Sequence, residues 1–133
     1  MINIIIVGHG NFGPGLHSAL RLLNGDSEGV TSLAFSAGES FEKLCEKINA
    51  EVSKNGDSET IILTDIPGGS PFKAAAMAAF GNHNVKAITG TNFPLLLELE
   101  LGKAFAEDAE SLINSALNNA KETMYQVQLN PAH

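Results

Sequence analysis

MINIIIVGHGNFGPG, residues 1–15, decides how the rest of the chain is read. Ile4, Ile5, Ile6 and Val7 form an unbroken β-branched run. It predicts a strand over residues 3–7 that is buried on both faces, as in the middle of a parallel sheet. The run breaks into Gly8-His9-Gly10, where two glycines permit a sharp turn and leave little bulk around the ring between them. A histidine is thereby set in a tight loop at the carboxyl end of a central strand, where open α/β sheets hold their reacting groups. His9 is the candidate nucleophile, of a kind able to carry a phosphoryl group.

Outward from this stretch, strand and helix patterns alternate. A first helix is expected from about Pro14, with Leu16, Ala19, Leu20 and Leu23 on one face and Gly25 at its end. A second strand is expected over residues 29–35. A second helix follows over residues 40–54, with Phe41, Leu44, Ile48 and Val52 inward. Asn55-Gly56-Asp57 turns the chain back into a third strand, residues 60–64. That strand runs into Asp65-Ile66-Pro67-Gly68-Gly69-Ser70-Pro71, where Ser70 reads as an N-cap and Pro71 as the first helical residue. A helix to residue 80, a strand over 85–89, a helix from about Pro94 and another over 107–122, capped near Asp108, complete the series. In the tail, Tyr125, Val127 and Leu129 alternate with Gln126, Gln128 and Asn130 before Pro131, the period of a last edge strand.

The implied fold is α/β: a small doubly wound parallel sheet in the order 2-1-3-4, helices on both faces, residues 1–133 as one domain. Strands 1 and 3 are then neighbours at the point where the chain reverses direction. The loops carrying His9 and Asp65 meet in one crevice there.

The totals bound the function. At 133 residues and 44% apolar composition the chain has the size and balance of one globular domain. No apolar run is long enough for a transmembrane helix, and no basic segment precedes an apolar one as in a signal peptide. Cys45 is the single cysteine, so no internal disulfide forms, and a cytoplasmic location is expected. A net charge of −7 disfavours nucleic acid and anionic lipid as partners. It leaves room for a small anion held by backbone N–H groups.

The two loops together suggest a chemistry. A carboxylate bonded to one imidazole nitrogen fixes the tautomer and aims the other nitrogen, and Asp65 is placed to do this for His9. The free nitrogen can then attack phosphorus in line. Gly10, Gly68 and Gly69 allow close backbone approach. The N–H groups opening the third helix, with the Ser70 hydroxyl, are candidates to bind phosphoryl oxygens. No cofactor and no metal cluster is expected.

The segments Gly8-His9-Gly10, Thr64-Asp65 through Gly68-Gly69-Ser70-Pro71-Phe72, and Thr89-Gly90-Thr91-Asn92 resemble the IIA component of the mannose family of the bacterial sugar phosphotransferase system. The resemblance covers essentially the whole chain. It implies that His9 is phosphorylated at Nε2 by the phosphocarrier HPr, with Asp65 bonded to the other nitrogen. The group then passes to a histidine of the IIB component, which phosphorylates the sugar during import through the IIC and IID permease. It also implies a cytoplasmic phosphotransferase that forms a homodimer by exchanging the last strand antiparallel between subunits. Ile66 and Pro67 stand where the mannose member has threonine and tryptophan, and Lys73 where it has asparagine. The loops after the first and fourth strands look closer to the N-acetylgalactosamine and galactosamine branch. No fused IIB segment is visible, so a separate IIB chain is expected. Ile66, Pro67, Thr91 and Asn92 are candidates for the rim of the site or for partner contact.

The same residues admit other readings. Gly8, Gly10 and Gly13 match the G-x-G-x-x-G dinucleotide fingerprint of a nucleotide-binding module. The acidic residue that should end the second strand is missing, however, where Leu33-Ala34-Phe35-Ser36 stands. The phosphocarrier subunit of a dihydroxyacetone kinase resembles the same fold and is the nearest alternative. His17 reads as a surface residue, His83 as a solvated turn residue, His133 as a terminal residue without a role, and Cys45 as packing.

Overall fold

The computed structural model describes residues 1–129. Its elements are β1 (Ile2–Val7), α1 (Phe12–Asn24), β2 (Val30–Leu33), α2 (Phe41–Lys54), β3 (Glu59–Thr64), α3 (Ser70–Ala79), β4 (Val85–Ile88), α4 (Phe93–Gly102) and α5 (Ala109–Ala120). A short 3-10 turn, Lys121–Thr123, follows. The four strands form one parallel sheet in the order β2-β1-β3-β4. The sheet is the expected one, and no helix of the described residues is long and apolar enough to cross a membrane.

Alternation along β1 explains the two layers. Ile4 and Ile6, with Ile61 and Leu63 of β3, pack beneath Leu20 of α1, Leu95, Leu96 and Leu99 of α4 and Ala116 of α5. Ile5, Val7 and Ile62 face the other way, onto Leu44 and Ile48 of α2 and Ala74 and Ala75 of α3. Successive strand side chains point to opposite faces, so a strand covered on both sides must be apolar throughout. The register sets Val7 opposite Thr64. Gly8-His9 and Asp65 therefore leave the sheet side by side, with no long loop needed to bring them together.

Helix starts follow local chemistry. The Ser40 hydroxyl accepts from the Lys43 N–H, the Asn92 side chain from the Leu95 N–H, and the Asp108 carboxylate from the Ser111 N–H. Each occupies one of the backbone donors a helix leaves unpaired at its start.

Several expectations are corrected. Helix α1 begins at Phe12, ahead of Pro14, and its inward stripe is Gly13, Leu16, His17 and Leu20. Leu23, expected inside, is exposed, because the buried face centres on Gly13, His17 and Leu20, and Leu23 lies off its edge in the last turn. Strand β2 stops at Leu33. Gly69, in extended backbone, is the cap of α3, so Ser70 is its first helical residue and Pro71 its second. His17 is buried, not on the surface: its Nδ1 lies 3.0 Å from the Ser32 hydroxyl of β2, which gives the ring a polar partner inside. Residues 124–129 make no pairing with the sheet of their own chain and stand exposed. An edge strand needs a neighbour, and none of the described strands pairs with this segment. Asn130, Pro131 and His133, also read from the sequence, lie outside the described residues.

Candidate functional site

The loops after β1 and β3 meet through one carboxylate. Asp65 Oδ2 accepts the His9 backbone N–H at 2.8 Å and lies 2.8 Å from His9 Nδ1. Asp65 Oδ1 accepts the Ile66 N–H at 2.9 Å. Oδ2 is an acceptor, so Nδ1 carries the proton in the neutral ring and Nε2 carries the lone pair. The Asp65 side chain is only 12% exposed and that of His9 is 48% exposed. The acid is sheltered, and the ring it holds opens to solvent. Burial by itself pushes the Asp65 carboxyl up. The hydrogen bonds from the His9 N–H, the His9 ring and the Ile66 N–H together outweigh that, and hold it below the usual carboxylate range.

Two glycines make room for this pair. A Cβ on Gly8 would lie 2.9 Å from the Asp65 carboxyl carbon and 2.6 Å from the Phe12 ring. A Cβ on Gly69 would lie 2.8 Å from His9 Cε1 and 3.5 Å from Nε2. The Nε2 edge of the ring therefore abuts the backbone that opens α3. No side chain caps that helix start, so the Ser70 hydroxyl is not engaged in capping. The first-turn amides and the positive end of the helix dipole lie beside this nitrogen, an arrangement suited to an anion. Gly10 and Gly68 turn the two loops at φ +58° and +83°. Among the described residues no three His, Cys, Asp or Glu side chains stand together as a metal site.

The remaining candidates divide. Ile66 and Pro67 are exposed beside the carboxylate. Thr91 is buried, and its N–H donates to the Thr64 carbonyl at 3.1 Å. Asn92 caps α4. Both stand at the end of β4, next to the strand that carries Asp65. His83 is exposed in its turn, and Cys45 is half-buried on α2 with its thiol pushed up by burial and by Glu42. Gly13, the third glycine of the dinucleotide-like pattern, is needed by the fold: a Cβ there would fall 2.4 Å from the Ile6 carbonyl oxygen and 2.8 Å from that of Leu33.

Sequence reading missed Phe35. Its ring centroid lies 6.0 Å from that of His9 with the planes 67° apart, an edge-type contact. Phe35 and Gly10 also form an antiparallel bridge. The signal was a single aromatic at the last position of the expected second strand, and nothing in its spacing linked it to residue 9.

A parallel doubly wound sheet with an imidazole–carboxylate pair at its switch point defines a class, the small α/β domains that place a reactive group between the loops of their two central strands. The model of one family within it, EIIA-man, described as "PTS system fructose IIA component", matches residues 3–120. The chain belongs to this family, the IIA components of the mannose type in the sugar phosphotransferase system. It is 30% identical over 131 residues to the mannose-specific EIIAB component of Escherichia coli, covering 98% of this chain and 41% of that protein. It is 31% identical over 128 residues to the fructose-specific EIIA component of Bacillus subtilis, covering 95% of this chain and 84% of that one. The crystal structure of an EIIA component from Streptococcus agalactiae superposes with a TM-score of 0.89 at 31% identity, covering 95% and 97% of the two chains. By family, then, the chain is a IIA component. It spans about two fifths of the length of the EIIAB relatives, 41%.

Proposed function

We propose that His9 is the phosphoryl carrier of this IIA component, taking the group from phospho-HPr and passing it to a histidine of IIB. The observation that carries the reading is the bond from His9 Nδ1 to Asp65 Oδ2, which leaves the Nε2 lone pair free beside the opening of α3. In the accepting step Nε2 attacks phosphorus, and the phosphorus–nitrogen bond to HPr breaks. Its electron pair returns to the HPr imidazole. The His9 ring becomes a phosphoimidazolium that keeps its Nδ1 proton and donates it in the hydrogen bond to Asp65, and the carboxylate offsets the new ring charge. Backbone N–H groups near Gly68, Gly69 and Ser70 take the phosphoryl oxygens, while Gly10, expected to join them, has its N–H engaged by the Phe35 carbonyl at 2.7 Å. Transfer to IIB is the same step reversed with a second imidazole. The sugar is of the mannose, fructose, sorbose or N-acetylgalactosamine type, imported through a IIC and IID permease, and the relay runs in the cytoplasm. The first three sugars are those of the similar mannose-, fructose- and sorbose-specific components, and the fourth rests on the loop residues.

The same reading includes a homodimer. β4 is a sheet edge, and its residues line an apolar cleft of about 660 Å³ with Phe72, Ala76, Phe80 and Ile113. The exposed, alternating Tyr125, Val127 and Leu129 of a second copy suit that edge.

The carrier reading is tested with phosphoenolpyruvate, enzyme I, HPr and this protein. One acid-labile, base-stable phosphate is expected on His9, and none on a folded His9→Ala protein. Label that persists in His9→Ala rejects the assignment.

A further inference from the structure

We propose that Phe35 is a positioning residue for His9, its ring restraining the imidazole and its neighbours fixed by the Lys47–Glu39 pair of the α2 side. The inference rests on the carrier reading above. Asp65 alone does not fix the ring. It fixes the place of Nδ1, but one hydrogen bond is a pivot, and a half-exposed side chain turns about it on a fast timescale. The Gly69 backbone limits the Cε1 edge. The Phe35 ring, 6.0 Å away at 67°, is the further side chain set against the imidazole. Edge-type contacts at this separation are attractive and directional.

Phe35 is itself anchored in a way an incidental neighbour would not be. The Gly10 N–H donates to the Phe35 carbonyl at 2.7 Å, and the Phe35 N–H donates to the Gly10 carbonyl at 3.1 Å. The loop holding His9 is thus stapled to the segment after β2. On one side of Phe35, the Ala34 carbonyl accepts from Lys47 Nζ at 2.6 Å. On the other, the Ser36 N–H donates to Glu39 Oε1 at 3.2 Å. Lys47 Nζ and Glu39 Oε2 are 2.7 Å apart, so both flanks of Phe35 end on one ion pair. The site therefore spans three loops: nucleophile after β1, restraint after β2, orienting acid after β3.

A substitution of the Phe35 side chain leaves the bridge intact, since the bridge is made by backbone. The test measures kcat and KM for phospho-HPr with the full chain in Phe35→Leu, Phe35→Met and Phe35→Tyr, alongside His9→Ala. Phe35→Leu and Phe35→Met are expected to lower kcat roughly two- to twelve-fold, the value of one aromatic contact. KM stays within about two-fold. Phe35→Tyr restores kcat, and far-UV circular dichroism shows native fold in each protein measured. In nitrogen spectra of the His9 ring, the Nδ1–H form is expected to lose population in Phe35→Leu and to hold in Phe35→Tyr. Unchanged kcat in a folded Leu or Met variant overturns the proposal. So does a loss that Phe35→Tyr shares, or one confined to KM, which marks a partner contact instead. If His9→Ala is unlabelled while Phe35→Leu runs at the parent rate, this inference alone fails; if His9→Ala accepts label, the carrier reading beneath it fails.

Discussion

Replacing Asp65 by asparagine keeps the shape of the site and removes its logic. The carboxylate receives three donors: the His9 N–H and ring Nδ1 on Oδ2, and the Ile66 N–H on Oδ1. An amide has one oxygen. If that oxygen faces His9, its NH2 group meets the Ile66 N–H, donor against donor. If the amide turns over, its NH2 group donates to Nδ1, and the imidazole must carry its proton on Nε2, the atom that should attack. Either arrangement costs the difference between a charge-assisted hydrogen bond and an unpaired or wrong-tautomer group, about 1.5–3 kcal/mol. That converts to a transfer rate slower by roughly 10- to 150-fold. The assay is rapid-quench transfer of labelled phosphate from HPr at saturating concentration, which reads the chemical step apart from docking. An Asp65→Asn protein that transfers within about two-fold of the parent would refute the argument that this acid sets the nucleophile.

Gly69→Ala is expected to slow transfer while leaving thermal stability nearly unchanged. The backbone there already has an alanine-compatible φ of −76°, and the added methyl displaces the movable His9 ring; paired melting and transfer measurements check it. Acid should weaken the fold through His17. Burial and the nearby Arg21 push its pKa down, so it is neutral in the folded chain. Its contribution is full above the unfolded value of about 6.5 and falls as pH drops below that, a slope that urea unfolding should find absent in His17→Gln. Asp65 acts lower on the scale: its folded pKa is depressed, so its contribution is present above about pH 4 and is lost as pH falls through the folded value. Truncation after Glu122 is expected to give monomer or insoluble protein in sedimentation, and a soluble dimer would remove the tail from the interface.

The central strands were legible because β1 and β3 carry unbroken apolar runs, Ile4 to Val7 and Ile61 to Leu63, as a doubly covered sheet requires. Their order followed from the alternation of strands and helices. The meeting of His9 and Asp65 then came from topology, and Val7 opposite Thr64 gives it in register. What was not legible depended on a partner from another element. His17 reads as polar and exposed until Ser32 of β2 is seen to face it. Ser70 before Pro71 fits a cap by composition, yet the extended Gly69 takes that place. Phe35 joins the site through a backbone bridge to Gly10, and backbone pairing across a sheet edge leaves no mark in the spacing of side chains. The tail shows the converse: its period of two is plain in the sequence, while residues 124–129 pair with no strand among the described residues.

The most direct test is nitrogen and phosphorus magnetic resonance of the phosphorylated protein, labelled in its histidine rings. A single phosphate bonded to Nε2 of His9, with the proton retained on Nδ1, is the predicted result. Phosphate on Nδ1, or on His17 or His83, would contradict the claim that Asp65 turns that nitrogen outward.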